Sequence, residues 1–360
     1  MRDGEYYLIE LHKIKSKIEF LNRSVSQEEL RILCDWLPSN LSGVRLLDTT
    51  NGFNIDNLEE PLDGILNLGK VNNIRFINRF FIQVNEKLEN GQFYIGRFES
   101  IKNRYLRKSR KLNPFHFSVV FLFEFLFLRI SPKIWGLKKM YFLVTRGRNR
   151  LLSEGEVLGR LVSCGFEISG VANIGGVHYF RVTKVSEPIV GENPSYGPLI
   201  KLNRLGKNGK TIKVYKFRTM HPYAEYLHDY ILKLNGYAET GKPADDFRLT
   251  FYGPFLRRYW LDELPQLINV LKGEMRLLGV RPVSARYFQD IPEELQKLRL
   301  KHKPGCIPPY VALNRKGSKE DVLFAEKEYL EMKEKSPFWT DIKLFFKSIY
   351  NIVFRNKRSA

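Results

Sequence analysis

From Phe117 to Ile130 every residue except Ser118, Glu124 and Arg129 is apolar. The run is 14 residues long, shorter than the ~20 that a helix needs to cross a bilayer. Ser131-Pro132 follows directly. Pro132 lacks a backbone donor, so a helix arriving here is expected to break. A second amphipathic stretch, Ile134 to Val144, comes next, with lysines at 133, 138 and 139. Such a pattern has two solutions. One is a buried helix of a soluble domain. The other is a helix–break–helix that dips into one leaflet and returns, its flanking Lys and Arg staying on the cytoplasmic side.

Charge and aromatic content bear on that choice. The 360 residues carry a formal net charge of +20, with 13% aromatics and 26 Phe. A surplus that large calls for an anionic partner: nucleic acid, an anionic membrane surface or phosphorylated substrates. The cations flank apolar stretches and do not gather on one base-reading helix, which argues against nucleic acid and for a membrane interface. With 43% hydrophobic and 27% charged residues, the chain is long and apolar enough for two folded domains. Cys34, Cys164 and Cys306 are far apart and form no C-x-x-C, which fits a reducing compartment without a disulfide framework or zinc site. Met1–Glu5 is charged and shows no apolar signal region.

Residues 1–112 read as α/β. Asp63 to Leu68 has the apolar run of a buried strand. Over 71–89, Ile74, Ile77, Phe80, Phe81, Val84 and Leu88 recur at helical period, Gly91 ends that helix, and Gln92–Phe98 is the next strand. Strand–helix–strand order favours a parallel, Rossmann-like sheet. Ser153-Glu154-Gly155-Glu156 has the form of a capped helix start, with a stop at Gly165. Phe166–Ile168 and His178–Thr183 read as strands. Glu187 to Pro198, rich in Pro, Gly and Ser, reads as a linker. The expected organisation is an accessory α/β domain over 1–112 and 145–186, a membrane-associated element over 113–144, and a second domain over 187–360.

The second domain holds the chemistry. In Leu261-Asp262-Glu263-Leu264-Pro265-Gln266-Leu267-Ile268-Asn269-Val270-Leu271-Lys272-Gly273, Leu264, Leu267, Ile268 and Leu271 share one helical face. Asp262 is typed as the cap, Pro265 is tolerated in a first turn, and Gly273 is a stop. Two adjacent carboxylates at a helix start could serve a metal-bridged diphosphate, one attacking phosphorus while the other orients it or moves a proton. Alone, such a pair is an ordinary acidic cap. Its context supplies cations: Lys216 and Arg218 at alternate positions of Tyr215–Met220, Arg257 and Arg258 just before the pair, and Arg281 in Gly279-Val280-Arg281-Pro282. Together they make a phosphate-binding set around one acidic centre.

Residues 195–355 resemble the bacterial sugar transferases, the monotopic polyprenyl-phosphate phosphoglycosyl transferases. The motifs stand in the family's order: Gly197-Pro198, Arg204-Leu205-Gly206-Lys207-Asn208-Gly209-Lys210, Tyr215–Met220, Asp246-x-Arg248-x-Thr250-x-x-Gly253, Phe255-Leu256-Arg257, Leu261–Gly273, Gly279–Pro282, Lys303-Pro304-Gly305 and Tyr329…Asp341. The resemblance implies a mostly α, monotopic, membrane-associated α+β catalytic domain. It implies that Asp262, with Mg²⁺, attacks the β-phosphate of a UDP-sugar and releases UMP. Glu263 would then help deprotonate polyprenyl (undecaprenyl) phosphate, which takes up the phosphosugar as the first membrane step of exopolysaccharide, capsule or O-antigen assembly. Phosphate-binding roles are implied for Lys216, Arg218, Arg257, Arg281 and Arg204, and metal binding for Asp262. Ser131 and Pro132 would be the break of the family's re-entrant membrane helix. The implied setting is the cytoplasmic face of a bacterial inner membrane, with lipids as partners; a homodimer is left open.

The chain departs from the family pattern at Val280, at Trp260, over Ile307-Pro308-Pro309-Tyr310-Val311, and in the residues of about 145–194 between the membrane element and the catalytic motifs. The N-terminal part has the outline of the back half of a class I methyltransferase without its glycine-rich cofactor loop, and is expected to be degenerate and non-catalytic. The competing reading of the whole is a catalytically silent relative that scaffolds a glycan-assembly complex.

Overall fold

The computed structural model describes residue 16 and residues 26–134, 136–189, 197–236, 246–315 and 318–355. Met1–Glu5 and the middle of the linker read over 187–198 lie outside them. The chain forms two compact units, Met1–Tyr196 with His221–Arg248, and Gly197–Met220 with Leu249–Ala360.

In the first unit, α1 (Gln27–Trp36) precedes β1 (Val44–Leu47) and β2 (Gly64–Lys70). Helix α2 (Ile77–Lys87) leads to β3 (Phe93–Phe98). The expected strand–helix–strand is present, and β1–β2 and β2–β3 pair in parallel. Strands β4 (Phe166–Ile174) and β5 (Val177–Lys184) complete a sheet of order β1-β2-β3-β5-β4, with β5 antiparallel to both neighbours. The unit is therefore mixed, not purely parallel. The two-residue Gly175-Gly176 turn, both at positive φ, lets β4 fold straight back as β5.

Helix α2 covers one face of the sheet. Phe80, Phe81 and Val84 are buried with Tyr94, Phe166 and Phe180, and each such side chain contributes about 1.5–3 kcal/mol by leaving water. Helix α3 (Ile101–Ser109) comes after β3 in the chain. Helix α6 (Glu154–Ser163) starts as the sequence indicates, the Ser153 hydroxyl accepting the Glu156 N–H (3.2 Å).

The apolar run is a helix, a break and a helix. Helix α4 (Pro114–Glu124) passes into a wide π-turn segment (Phe125–Ile130) and a short 3₁₀ turn (Ser131–Lys133); α5 (Leu137–Thr145) follows. The Ser131 hydroxyl donates to Leu126 O (3.0 Å), taking up a carbonyl at the wide turn. The polar interruptions of the run are partnered within this unit. Glu124 receives Arg104 and Lys108, each at 2.8 Å, and the buried Arg129 pairs with Glu156. The remaining face is open: Phe115, Leu122, Phe123, Met140, Leu143 and Val144 are exposed. No helix among the described residues is long and apolar enough to cross a membrane. Helix α7 (His228–Asn235) also belongs to this unit.

The second unit is mostly helical around two small ladders. The hairpin β6 (Leu199–Leu205) and β7 (Thr211–Phe217) is antiparallel. Helix α8 (Gly253–Arg258) precedes a 3₁₀ turn (Leu261–Gln266) that runs into α9 (Leu267–Leu271). Strand β8 (Arg276–Leu278) precedes α10 (Glu293–Lys301) and pairs in parallel with β9 (Gly305–Ile307). Gly279, one residue beyond β8, touches Gly305 of β9: a Cβ on Gly305 would stand 2.1 Å from Gly279 N, so neither position has room for a side chain. Helices α11 (Pro309–Ala312), α12 (Lys319–Lys335) and α13 (Pro337–Val353) close the unit. The Tyr329…Asp341 pair joins α12 to α13. Tyr329 Oη and Lys333 Nζ both donate to Asp341, each at 2.7 Å, and Arg276 reaches the same carboxylate.

Candidate active site

The segment 261–273 differs from the single capped helix its spacing suggests. Asp262 is not the cap. Trp260 precedes the turn in a left-handed conformation (φ 61°), and Leu261–Gln266 is 3₁₀, opened by the Glu263 N–H donating to Trp260 O (3.1 Å). Pro265 has no N–H to give an α-helical ladder, and the tighter turn accommodates that lack. The α-helix begins only at Leu267. Gly273 ends it as expected, at φ +69°.

Asn269 holds this element to the hairpin. Wholly buried, it accepts the Tyr215 N–H (3.1 Å) and donates to Lys213 O (2.8 Å) and Glu274 (2.6 Å). With β7 held on both sides of residue 214, Lys216 arrives over the 3₁₀ turn. Its Nζ lies 2.8 Å from Glu263 Oε1, and Arg281 Nη2 lies 2.8 Å from the same oxygen. Glu263 is buried, 8% exposed. Burial alone would raise its carboxyl; Arg281 and Lys216 outweigh burial and hold it below the ordinary carboxylate range.

Asp262 is set differently. Burial pushes its carboxyl up, the neighbouring Glu263 adds to the rise, and Lys216 and Arg257 oppose it. Two adjacent carboxylates thus titrate apart: one ionised and clamped by cations, the other half-buried with its affinity for a proton raised. Divergence of this kind within one carboxylate pair is common at acid–base and nucleophilic sites.

Of the sequence-derived cations, Lys216, Arg257 and Arg281 converge on the pair. Arg257 Nε donates to Thr219 Oγ1 (3.0 Å). Arg218 stands one residue beyond β7, its N–H bonded to Pro198 O and its Nε to Gly197 O (3.0 Å), which gives the Gly197-Pro198 motif a bonding role. Arg204 is not brought to the carboxylates through the hairpin. It pairs in register with Ile212, whereas Lys216 pairs with Ile200, roughly 13 Å away at ~3.3 Å per residue.

Sequence reasoning missed three positioning residues. Asn269 stood in the quoted motif, and a polar side chain inside an apolar run was the available signal. Arg299 and Glu326 gave none: each lies a few residues before a motif, Lys303-Pro304-Gly305 and Tyr329…Asp341, but 27 residues from the other. They form a buried ion pair, and Arg299 Nη2 also donates to Arg281 O (2.5 Å), fixing the backbone of the clamping arginine.

Two departures from the family pattern prove to be neighbours. Trp260 packs with Tyr310 and Val311 of the altered segment, and the Arg281 guanidinium lies over the Trp260 ring, 5.5 Å from its centre. Another departure, Val280, is buried in the core beside β8.

No cluster of three or more His, Cys, Asp or Glu side chains that could hold a metal occurs among the described residues. Glu263 is taken up by two cations, which leaves Asp262 as the carboxylate of the pair. One carboxylate fits Mg²⁺ that arrives on a diphosphate and keeps much of its water; it does not make a dedicated metal cage.

Residues 186–355, just under half of the chain, match the family model described as bacterial sugar transferase. Among its relatives is a galactosyl transferase CpsE of Streptococcus agalactiae, 36% identical over 154 residues, 41% of this chain and 33% of the relative. The UDP-glucose:undecaprenyl-phosphate glucose-1-phosphate transferase of Escherichia coli is 35% identical over 43% of this chain and 33% of its own. The undecaprenyl-phosphate galactose phosphotransferase of Salmonella typhimurium is 31% identical over 47% and 34%. The chain thus spans about a third of the length of these relatives. A SAM-dependent methyltransferase of Thermotoga maritima aligns over 36% of this chain at 15% identity with a TM-score of 0.23, too low a likeness to bear on the first unit.

Proposed function

We propose that this protein transfers a sugar 1-phosphate from a UDP-sugar to polyprenyl phosphate, at the cytoplasmic face of a bacterial inner membrane. The observation that carries the reading is the split carboxylate pair, Glu263 clamped by Lys216 and Arg281 with Asp262 beside it. The relatives' names add the donor, the lipid carrier and the phosphosugar transfer.

In the first step an Asp262 carboxylate oxygen attacks the β-phosphorus. The Asp262 O–P bond forms, the bond from that phosphorus to the bridging oxygen breaks, and UMP leaves with the electron pair. In the second, a phosphate oxygen of the polyprenyl carrier attacks the same phosphorus, and the aspartate leaves as carboxylate. Lys216, Arg257 and Arg281 stabilise charge on the transferring phosphoryl group. Mg²⁺, bound through Asp262 and the diphosphate, would supply further charge neutralisation. Glu263 suits positioning better than proton removal. It is held below the ordinary carboxylate range, and a phosphate monoester with its second pKa near ~6 is largely ionised at neutral pH without a base. Its role is then to hold Lys216 and Arg281 at the transferring phosphate. The exposed apolar side chains of Phe251, Phe255, Leu264, Leu267 and Leu271 suit contact with the membrane that holds the carrier.

The test is lipid-dependent UMP release by the full chain with Mg²⁺, polyprenyl phosphate and a panel of UDP-sugars. At least one sugar is expected to support turnover, and Asp262→Asn to reduce it roughly a thousandfold or more. No release with any sugar, or full activity in the variant, overturns the reading.

A further inference from the structure

The first unit contains a cleft of about 1030 Å³ whose lining residues all belong to that unit, so the carboxylate pair has no part in it. Its charge is one-sided: eight Lys and Arg line it against one carboxylate, Glu156. That carboxylate is already committed at the floor, where the buried Arg129 and Arg160 both pair with it. At the rim, Arg75, Arg79, Lys138, Lys139 and Arg146 are exposed, and among the described residues no carboxylate lies within ion-pair distance of them. Like charges collected in one concavity repel, and a counter-anion relieves that repulsion.

The collection is built by the fold. The turn after α5 brings the second set of cations back onto the first. Arg150 N donates to Asn72 O (3.0 Å) and Asn149 N to Asn73 Oδ1 (2.9 Å). Arg146, Gly147 and Asn149 all take positive φ to make this turn, and a Cβ at Gly147 would stand 3.0 Å from Arg75 Cα. Arg146 and Asn149 hold a conformation that non-glycine residues seldom adopt, so the turn is fixed by its surroundings. The Phe142 ring lies beneath two guanidiniums, Arg75 at 5.7 Å and Arg150 at 5.0 Å from its centre. The cations therefore share an aromatic wall.

The apolar surroundings identify the ligand class. Lys138 and Lys139 share α5 with Met140, Leu143 and Val144, and Leu143 is 80% exposed. Phe76, beside Arg75, is exposed as well. A free phosphate gains nothing from those side chains. A phosphate carrying acyl chains engages both halves of the site. We infer that this cleft binds the phosphate headgroup of an anionic phospholipid, with the exposed face of α5 against its chains.

The inference is independent of the Asp262 chemistry and can fail separately from it. The probe is dihexanoyl phosphatidylglycerol below its micelle concentration, titrated into the full chain in a non-ionic detergent. Dihexanoyl phosphatidylcholine and inorganic phosphate are the comparison arms. The phosphatidylglycerol is expected to bind roughly tenfold or more tighter than either, with affinity falling as salt rises. The triple variant R75Q/R79Q/R146Q should lose that preference. R75K/R79K/R146K, which keeps the charge, should retain it, and Asp262→Asn should bind as the parent does. Equal affinity for the two lipids, unchanged binding by the glutamine variant, or loss of binding in the lysine variant overturns the inference. Inorganic phosphate binding as tightly as the phosphatidylglycerol overturns the lipid assignment.

Discussion

Helix α2 and the segment 261–271 carry the same kind of sequence signal and meet opposite fates. Both place apolar side chains at helical spacing. In α2, Phe80, Phe81 and Val84 are at most 2% exposed, because a five-stranded sheet lies under them. In 261–271, Leu264, Leu267 and Leu271 face outward, and Leu271 is 89% exposed. The hairpin beside that segment has only two strands and engages its polar side, through Asn269 and Glu263. Helical spacing tells which side chains share a face; it does not tell what covers the face.

The comparison can be broken by three substitutions. Phe81→Ala should cost about 3–5 kcal/mol of stability, read by denaturant unfolding; a loss under 1 kcal/mol would mean that the α2 face is not a packed core. Glu263→Gln should move the acid limb of the activity profile to lower pH. Glu263 helps raise the Asp262 carboxyl, and its removal also leaves Lys216 free to stabilise the ionised form. An unmoved limb would uncouple the pair. The same variant tests linkage. The Glu263 carboxyl is depressed in the fold, so its contribution to stability is present above the unfolded-state pKa and lost as pH falls through the folded value. The parent should therefore lead the variant at neutral pH and lose that lead in acid. Smallest is Leu271→Ala, which should change stability in detergent by less than about 0.5 kcal/mol. It should nevertheless weaken retention on vesicles of mixed phosphatidylglycerol and phosphatidylcholine. A core-sized stability loss would mean that the exposed face is buried after all.

Much of the first unit was legible in the sequence. Strand β2, strand β3 and the Ser153 cap stand within a few residues of where spacing and cap chemistry put them, whereas α2 starts at Ile77, after a separate 3₁₀ turn over Val71–Asn73 at the start of the stretch read as one helix. The antiparallel return of β5 was not legible, since strand direction depends on long-range pairing. In the second unit, the cations around Asp262 and Glu263 could be read as a set, but their assignments could not. Strand alternation put Lys216 and Arg218 on one face; β7 ends between them, so Lys216 takes Glu263 while Arg218 bonds the Gly197-Pro198 backbone. Arg204 read as one of the set and sits at the other end of the hairpin ladder.

The helix–break–helix of 114–145 divides along the same line. Local chemistry was enough for the break, because Pro132 has no donor and Ser131 can take up a carbonyl wherever the chain goes. Local chemistry was also enough to mark the adjacent carboxylates, since their spacing is covalent. Their unequal character is a tertiary product. Lys216 and Arg281 reach Glu263 from segments 47 and 18 residues away, and only folding brings those charges to one oxygen of the pair. The cleft of the first unit has the same origin: Arg75 and Arg146 are 71 positions apart in the chain, and the turn held on Asn72 and Asn73 makes them neighbours.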